Sequence, residues 1–156
     1  MTKPKISFLA FFLLWAELQG WKVPIFHIQV CIFLEEFYLN GRTGLLMLPR
    51  GHSKSSILDV FNAWVIYCWP STQILHQGTT DADAYKCSKG TRDVLERHPL
   101  CIGNPNVAIR QGEIERWFVE GTPDVRYGTM LAKGILSGVT GHRAHFIQND
   151  DVETPQ

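Results

Sequence analysis

Apolar residues along the chain fall into blocks whose spacing alternates between helical and strand-like. The run from Ile6 to Leu18 predicts a helix closed by Gly20, a residue suited to a C-cap. Pro24 opens a second segment, Ile25 to Leu39, in which Phe26, Val30, Phe33, Leu34 and Phe37 recur at helical spacing, and Asn40-Gly41 closes it. Thr43 to Leu48 is a short apolar run with an early glycine, the signature of a buried parallel strand. From Ser55 to Trp69 the stripe Ile57, Val60, Phe61, Trp64, Val65 and Cys68 is again helical, and Pro70 stops it. A strand at Thr72–His76 precedes Gly78-Thr79-Thr80-Asp81, where Asp81 is suited to cap a helix reaching Arg97. Helix, helix, strand, helix, strand, helix is the order of an α/β fold built on a parallel sheet.

Beyond Pro99 the pattern loosens. Leu100 to Val107 reads as loop, Glu115–Val119 and Arg126–Met130 as strands, and Gly134 to Gly141 as a glycine-rich connection. Ala144 to Gln148 reads as a strand running into Asp150-Asp151, although Gln148 and Asn149 interrupt what is normally an apolar element. No internal repeat or low-complexity tract is present.

Composition narrows the class. With 156 residues, 45% hydrophobic and 19% charged, the chain has the length and content of one folded domain. A formal net charge of +0 means that any contact with nucleic acid relies on a local patch or on another domain. The cysteines at 31, 68, 87 and 101 have no paired short spacing, so reduced, partly buried thiols are expected, in keeping with an intracellular location. Lys3 and Lys5 before the first apolar run give it a superficial likeness to a signal peptide. No small-residue cleavage pattern follows, and the run falls short of the roughly 20 residues that cross a bilayer; a helix packed on the domain is the expectation.

The chemistry lies in two places. Leu48-Pro49-Arg50-Gly51-His52-Ser53-Lys54-Ser55 links a strand to a helix, the order in which backbone N–H groups and a helix N-terminus cradle phosphate. A phosphate loop also needs a lysine for the β- and γ-phosphates and a hydroxyl for Mg²⁺, the roles open to Lys54 and Ser55. The match to G-x-x-x-x-G-K-[ST] is incomplete, since Leu48 and Ser53 stand where glycines belong. On the loop alone, a simple turn with Lys54 and Ser55 at a solvated helix start remains open. Arg50 adds a permanent cation able to bind phosphate oxygens bidentately.

The second place is Asp150-Asp151 with Glu153, just after a strand. Nucleotide hydrolysis with Mg²⁺ needs a strand-end carboxylate for the metal and a second to orient water. Asp150 suits the first role and Asp151 the second, with Glu153 in reserve; an acidic surface turn is the alternative.

Together these residues resemble a known family. Leu-Pro-Arg-Gly-His-Ser-Lys-Ser resembles the deviant phosphate loop of the large terminase subunits of tailed bacteriophages. Gly138-Val139-Thr140-Gly141-His142-Arg143-Ala144, continuing to Asp150-Asp151-Val152-Glu153, resembles the T-G-x-R-A…D-D-V-E segment of their podovirus-like branch. The resemblance spans roughly Pro24 to the end. It implies a P-loop NTPase of the ASCE, RecA-like type with a mainly parallel sheet, residues 1–23 forming an N-terminal helix and 24–156 an ATPase domain incomplete at its C-terminus.

The implied ligands are ATP and Mg²⁺. Pro49, Arg50, Gly51, His52, Ser53, Lys54, Ser55 and Ser56 would line the triphosphate, and Gln29 would contact adenine. Ser55 and Asp150 would serve the metal; Arg50, Lys54, Asp151 and Glu153 would act in hydrolysis, and Arg143 would face the γ-phosphate, DNA or a structural ion pair. The implied partners are double-stranded viral DNA, the portal protein, the small terminase subunit and further copies in a ring, in the cytoplasm of an infected bacterium, neither secreted nor in a membrane. The nuclease domain of a complete large subunit does not fit after Gln156, so the resemblance implies the first part of a split, truncated or partially sequenced gene.

Other P-loop enzymes (a helicase-like protein or a small-molecule kinase) and an inactive remnant are the rival readings. His142-x-x-His145 and His98-x-x-Cys101 lack partner pairs for a zinc site. Ser53, Ser55 and Ser56 near His52 lack a G-x-S-x-G nucleophile elbow. Trp15, Trp64 and Trp69 fall on apolar helix faces and are expected in the core.

Overall fold

In the computed structural model, residues 2–41, 54–123, 128–136 and 144–150 are described, apart from the side chains of Lys54 and Gln111. The predicted strand at Thr43–Leu48 and the loop through Ser53 lie outside these residues. Helix α1 spans Phe8–Gln19 and α2 spans Ile25–Leu39, the latter with its predicted bounds. Ser7 caps α1 by accepting from Ala10 N at 3.1 Å, and Glu35 of α2 reaches Phe8 N at 2.8 Å. A carboxylate thus sits at the positive end of α1. At the other end Gly20 N and Trp21 N donate to Glu17 O and Ala16 O, closing the helix as a Schellman motif.

Helix α3, Lys54–Cys68, is buried on nearly every side between Ile57 and Ile66, more completely than a single apolar stripe implies. Phe8 of α1 meets Phe61 of α3 edge to face at 5.1 Å, and the Trp64 indole donates to Ile6 O at 2.9 Å. Phe8, Phe11, Phe12 and Trp15 belong to the same buried cluster as α3. Helix α2 is more exposed than predicted: Val30 and Cys31 are buried, whereas Phe26, Phe33, Leu34 and Phe37 are half-buried.

Strand β1 (Ile74–Gly78) leads to α4 (Asp81–Arg97), a 3₁₀ turn (Pro105–Val107), β2 (Ile109–Glu113), β3 (Arg116–Val119), β4 (Met130–Gly134) and β5 (Phe146–Asn149). The sheet order is β2-β3-β4-β1-β5; β4, β1 and β5 run parallel, while β2, β3 and β4 pair antiparallel. The sheet is therefore mixed, a correction to the mainly parallel sheet that was expected. The β2–β3 hairpin follows from the two-residue turn at Ile114-Glu115, because so short a link between strands reverses the chain. Strand β2 was not predicted: Arg110, Gln111 and Glu113 give no apolar alternation. Gly112 (φ +134°) breaks the run, with Trp117 Cα 2.4 Å from where a Cβ would stand.

A second correction concerns the start of α4. Thr80, not Asp81, is the cap, accepting from Asp83 N at 3.1 Å. The Asp81 carboxylate instead accepts from Gly134 N at 2.7 Å, tying α4 to the end of β4. Among the described residues no helix is long and apolar enough to cross a membrane.

Candidate functional site

Parallel strands β1 and β5 end on the same edge of the sheet, where ligands of α/β proteins characteristically bind. The first turn of α3 arrives at that edge. Ser55 Oγ donates to Asp150 Oδ2 at 3.3 Å, joining residues 95 apart in sequence. Asp150 continues the β1–β5 ladder by one residue, its N–H donating to Gln77 O at 2.9 Å. Of the predicted site, the structure brings these two side chains together. Lys54 is the first residue of α3, and Ser56 beside it is half-buried. Pro49, Arg50, Gly51, His52, Ser53, Arg143, Asp151 and Glu153 lie outside the described residues.

Gln29 is exposed on α2. A cavity of about 350 Å³ opens instead beside the first turns of α3, lined by Trp21, Lys22, Val23, His27 and Ile57. His27, two residues before Gln29, is the α2 side chain that reaches it, and it packs edge-on against Phe12 at 6.4 Å.

Behind Ser55 the same face of α3 carries two further polar residues, Asp59 and Asn62, at the i+4 and i+7 positions. Asn62 is fully buried and makes a reciprocal amide pair with Gln148 of β5, Nδ2 to Oε1 at 3.0 Å and Nε2 to Oδ1 at 2.9 Å. Gln148 Oε1 also meets Nδ1 of His76, its register partner on β1, at 2.6 Å. Since that oxygen only accepts, His76 donates from Nδ1. Burial, opposed by the Gln148 bond and Asp150, pushes the His76 pKa down, so the ring is neutral at pH 7.

Asp59 sits between these contacts. Its Oδ1 is buried without a hydrogen-bond partner, and its Oδ2 lies 2.0 Å from where a Cβ on Gly90 of α4 would stand. The helix leaves room for the carboxylate by having glycine there. Burial pushes the Asp59 carboxyl up to about 7, with Asp150 and Asp93 adding to the rise and a hydrogen bond to Cys87 opposing it. Burial, then Asp59, likewise drives the Cys87 thiol well above its usual value.

Asp59 was missed in the sequence, although a carboxylate four residues after Ser55 inside an apolar helix was a signal for it. Because its folded pKa is raised, its favourable contribution is complete below the ordinary value of 3.8 and disappears as pH rises through about 7. Asp59→Asn removes that dependence. In urea unfolding, the variant should gain about 4 kcal/mol on the parent between pH 4 and 8. His76 and His98, both lowered by burial, titrate alike in the two proteins and cancel in the difference. A pH-independent difference would show that Asp59 is solvated and charged throughout.

The remaining polar signals are structural. His98 Nδ1 accepts from Leu100 N at 3.0 Å, Nε2 meets Phe11 O at 2.9 Å, and the ring stacks on Phe11 at 3.8 Å. Both its nitrogens are used, which leaves no ligand role beside Cys101. His145 Nδ1 accepts from Gln73 N at 3.1 Å. All four cysteines are free and buried. Among the described residues no group of three or more His, Cys, Asp or Glu side chains is gathered as a metal cluster.

No protein-family model matches the chain, and the search of curated proteins returns no match. What fold and site define is an α/β protein with a mixed sheet, in which a hydroxyl at a helix start meets a carboxylate at a parallel strand end.

Proposed function

We propose that this chain is the ATP-binding and ATP-hydrolysing part of a DNA-packaging motor of the large-terminase kind. The observation that carries the reading is the 3.3 Å contact between Ser55 and Asp150, the two residues assigned to Mg²⁺ from sequence alone. A hydroxyl and a carboxylate are hard oxygen donors. Mg²⁺ takes one or two such protein ligands and keeps waters and phosphate oxygens for the rest, so a two-residue set fits it without a larger cluster. When bound with ATP, Mg²⁺ neutralises charge on the β- and γ-phosphates.

In this reading Lys54, at the N-terminus of α3, binds the triphosphate together with the backbone and side chains of Pro49 to Ser53 and with Ser56. Arg50 stabilises charge on the transferred phosphoryl group, and Asp151, with Glu153 beside it, orients the attacking water. The adenine contact is assigned to Gln29, and the cavity lined by Trp21, His27 and Ile57 is a second place that an aromatic base would fit. The fold is then of the ASCE, RecA-like type. Double-stranded viral DNA, the portal protein, the small terminase subunit and neighbouring copies in a ring are the proposed partners.

The reading is tested by thermal melting with and without MgATP. Binding to the folded state alone raises Tm by mass action, so 1 mM MgATP should shift the parent upward by several degrees and leave Lys54→Ala unmoved. Hydrolysis stimulated by double-stranded DNA marks a motor, whereas turnover indifferent to DNA favours a kinase or another P-loop enzyme. A parent that does not respond to MgATP is a remnant, and the proposal fails.

A further inference from the structure

Gln148 breaks the apolar pattern of β5, and its surroundings give that break a purpose. The helix and the strand that bear Ser55 and Asp150 are linked at an outer and an inner level. The outer level holds the Ser55–Asp150 hydrogen bond at 3.3 Å, long and open to solvent. The inner link is the reciprocal Asn62–Gln148 pair, whose members are 0% and 7% exposed and to which His76 adds a third bond at 2.6 Å. Asn62 lies seven residues, about two turns, after Ser55 on one face of α3. Gln148 lies two residues before Asp150, on the same side of an extended strand.

Magnitudes decide which link sets the geometry. A long, hydrated hydrogen bond contributes little and is readily exchanged for water. Two paired amides in a dry interior are stronger, and breaking one leaves several buried groups unsatisfied. An apolar contact at the same place would permit sliding; paired amides have one register. We propose that Asn62 and Gln148, held by His76, are positioning residues that fix the Asp150 carboxylate against the Ser55 hydroxyl, so that the Mg²⁺ ligand pair is preformed before nucleotide arrives. This rests on the reading of the site as an MgATP site.

The test separates positioning from mere stability. In Asn62→Leu/Gln148→Leu both amides are replaced by apolar groups, so their directionality is lost with no amide left unsatisfied and His76 alone loses its acceptor. In Asn62→Gln/Gln148→Asn the paired amides remain with their lengths exchanged. Stability is read by urea unfolding, and the Mg²⁺ concentration giving half-maximal ATP binding by titration with a fluorescent ATP analogue. The leucine pair should raise that concentration about tenfold or more, the loss seen when residues supporting a metal ligand are removed. The exchanged pair should return to within about threefold of the parent (half a decade, under 1 kcal/mol).

Asn62→Leu/His76→Leu/Gln148→Leu, which removes the histidine N–H along with both amides, should behave like the leucine pair and serves if the latter does not fold. A folded leucine pair or triple variant with parental Mg²⁺ dependence overturns the positioning role and leaves the ATP site standing. A parent without Mg²⁺-dependent nucleotide binding overturns both.

Discussion

Asp150→Asn is expected to lower ATP hydrolysis about a thousandfold, roughly 4 kcal/mol of barrier, while ATP still binds. Asparagine keeps the shape of aspartate and still accepts from Ser55 through its amide oxygen, so the contact at 3.3 Å and the end of β5 survive. What is lost is the negative charge that a strand end offers to a hydrated divalent cation. Nucleotide affinity without metal should therefore be close to parental, and its enhancement by Mg²⁺ should vanish. Asp151→Asn should differ in kind, keeping the Mg²⁺ enhancement and losing turnover only. The two variants are separated by titrating Mg²⁺ against bound nucleotide and then measuring phosphate release. If Asp150→Asn retains parental Mg²⁺ dependence, the Ser55–Asp150 contact is an ordinary surface hydrogen bond and the site must lie elsewhere.

The fold was legible in the sequence to the extent that local chemistry determined it. Gly20, Pro24, Asn40 and Pro70 mark the helix ends because each acts on the backbone of its own segment, and α1 to α3 fall within two residues of expectation. Strand ends depend on partners instead. Strand β1 was expected at Thr72–His76 and runs Ile74–Gly78, since its ladder with β4 opens at Ile74 and closes at Gly134. Strand β4 begins at Met130, where a strand was expected to end, for the same reason. Thr80 and Asp81 are both capping residues side by side. Only the approach of Gly134 decides that Thr80 caps the helix and Asp81 the strand end.

The site divides along the same line. Ser55 and Asp150 were readable because a loop pattern and an acidic pair are local signals. Asn62, Asp59 and His76 were not, because their meaning depends on which strand lies beside α3. One clue was available: Asp59 and Asn62 carry the polar face of Ser55, at i+4 and i+7, into the apolar stretch of α3, and polar groups placed there need partners. Gln148 was the complementary clue on β5, where a flaw in one pattern was half of another.

Trp64→Ala should cost about 4 kcal/mol of folding free energy, a large part of the 5–15 kcal/mol typical of a domain. Trp64 is fully buried and lies at the junction of α1, α2 and α3. Its ring sits 5.6 Å from Phe8, 6.3 Å from Tyr38 and 5.4 Å from Trp69, in tilted and edge-to-face arrangements. Tyr38 in turn meets Phe146 of β5 at 5.3 Å, so one cavity would loosen the N-terminal helix and the strand before Asp150 together. The indole adds a directional term: its N–H to Ile6 O holds the segment that enters α1. Trp64→Phe keeps most of the apolar volume and drops that bond, leaving a carbonyl unsatisfied at a cost of about 1–2 kcal/mol. Urea unfolding gives both values, and amide exchange shows where the loss falls. In Trp64→Ala, protection at Phe12 to Trp15 should drop further than at α4, whose contacts run mainly to β1, β4 and the far side of α3. Equal losses in α1 and α4 would mean that the N-terminal helix and the sheet open as one unit, and that the effect of the cavity is not confined to the aromatic junction.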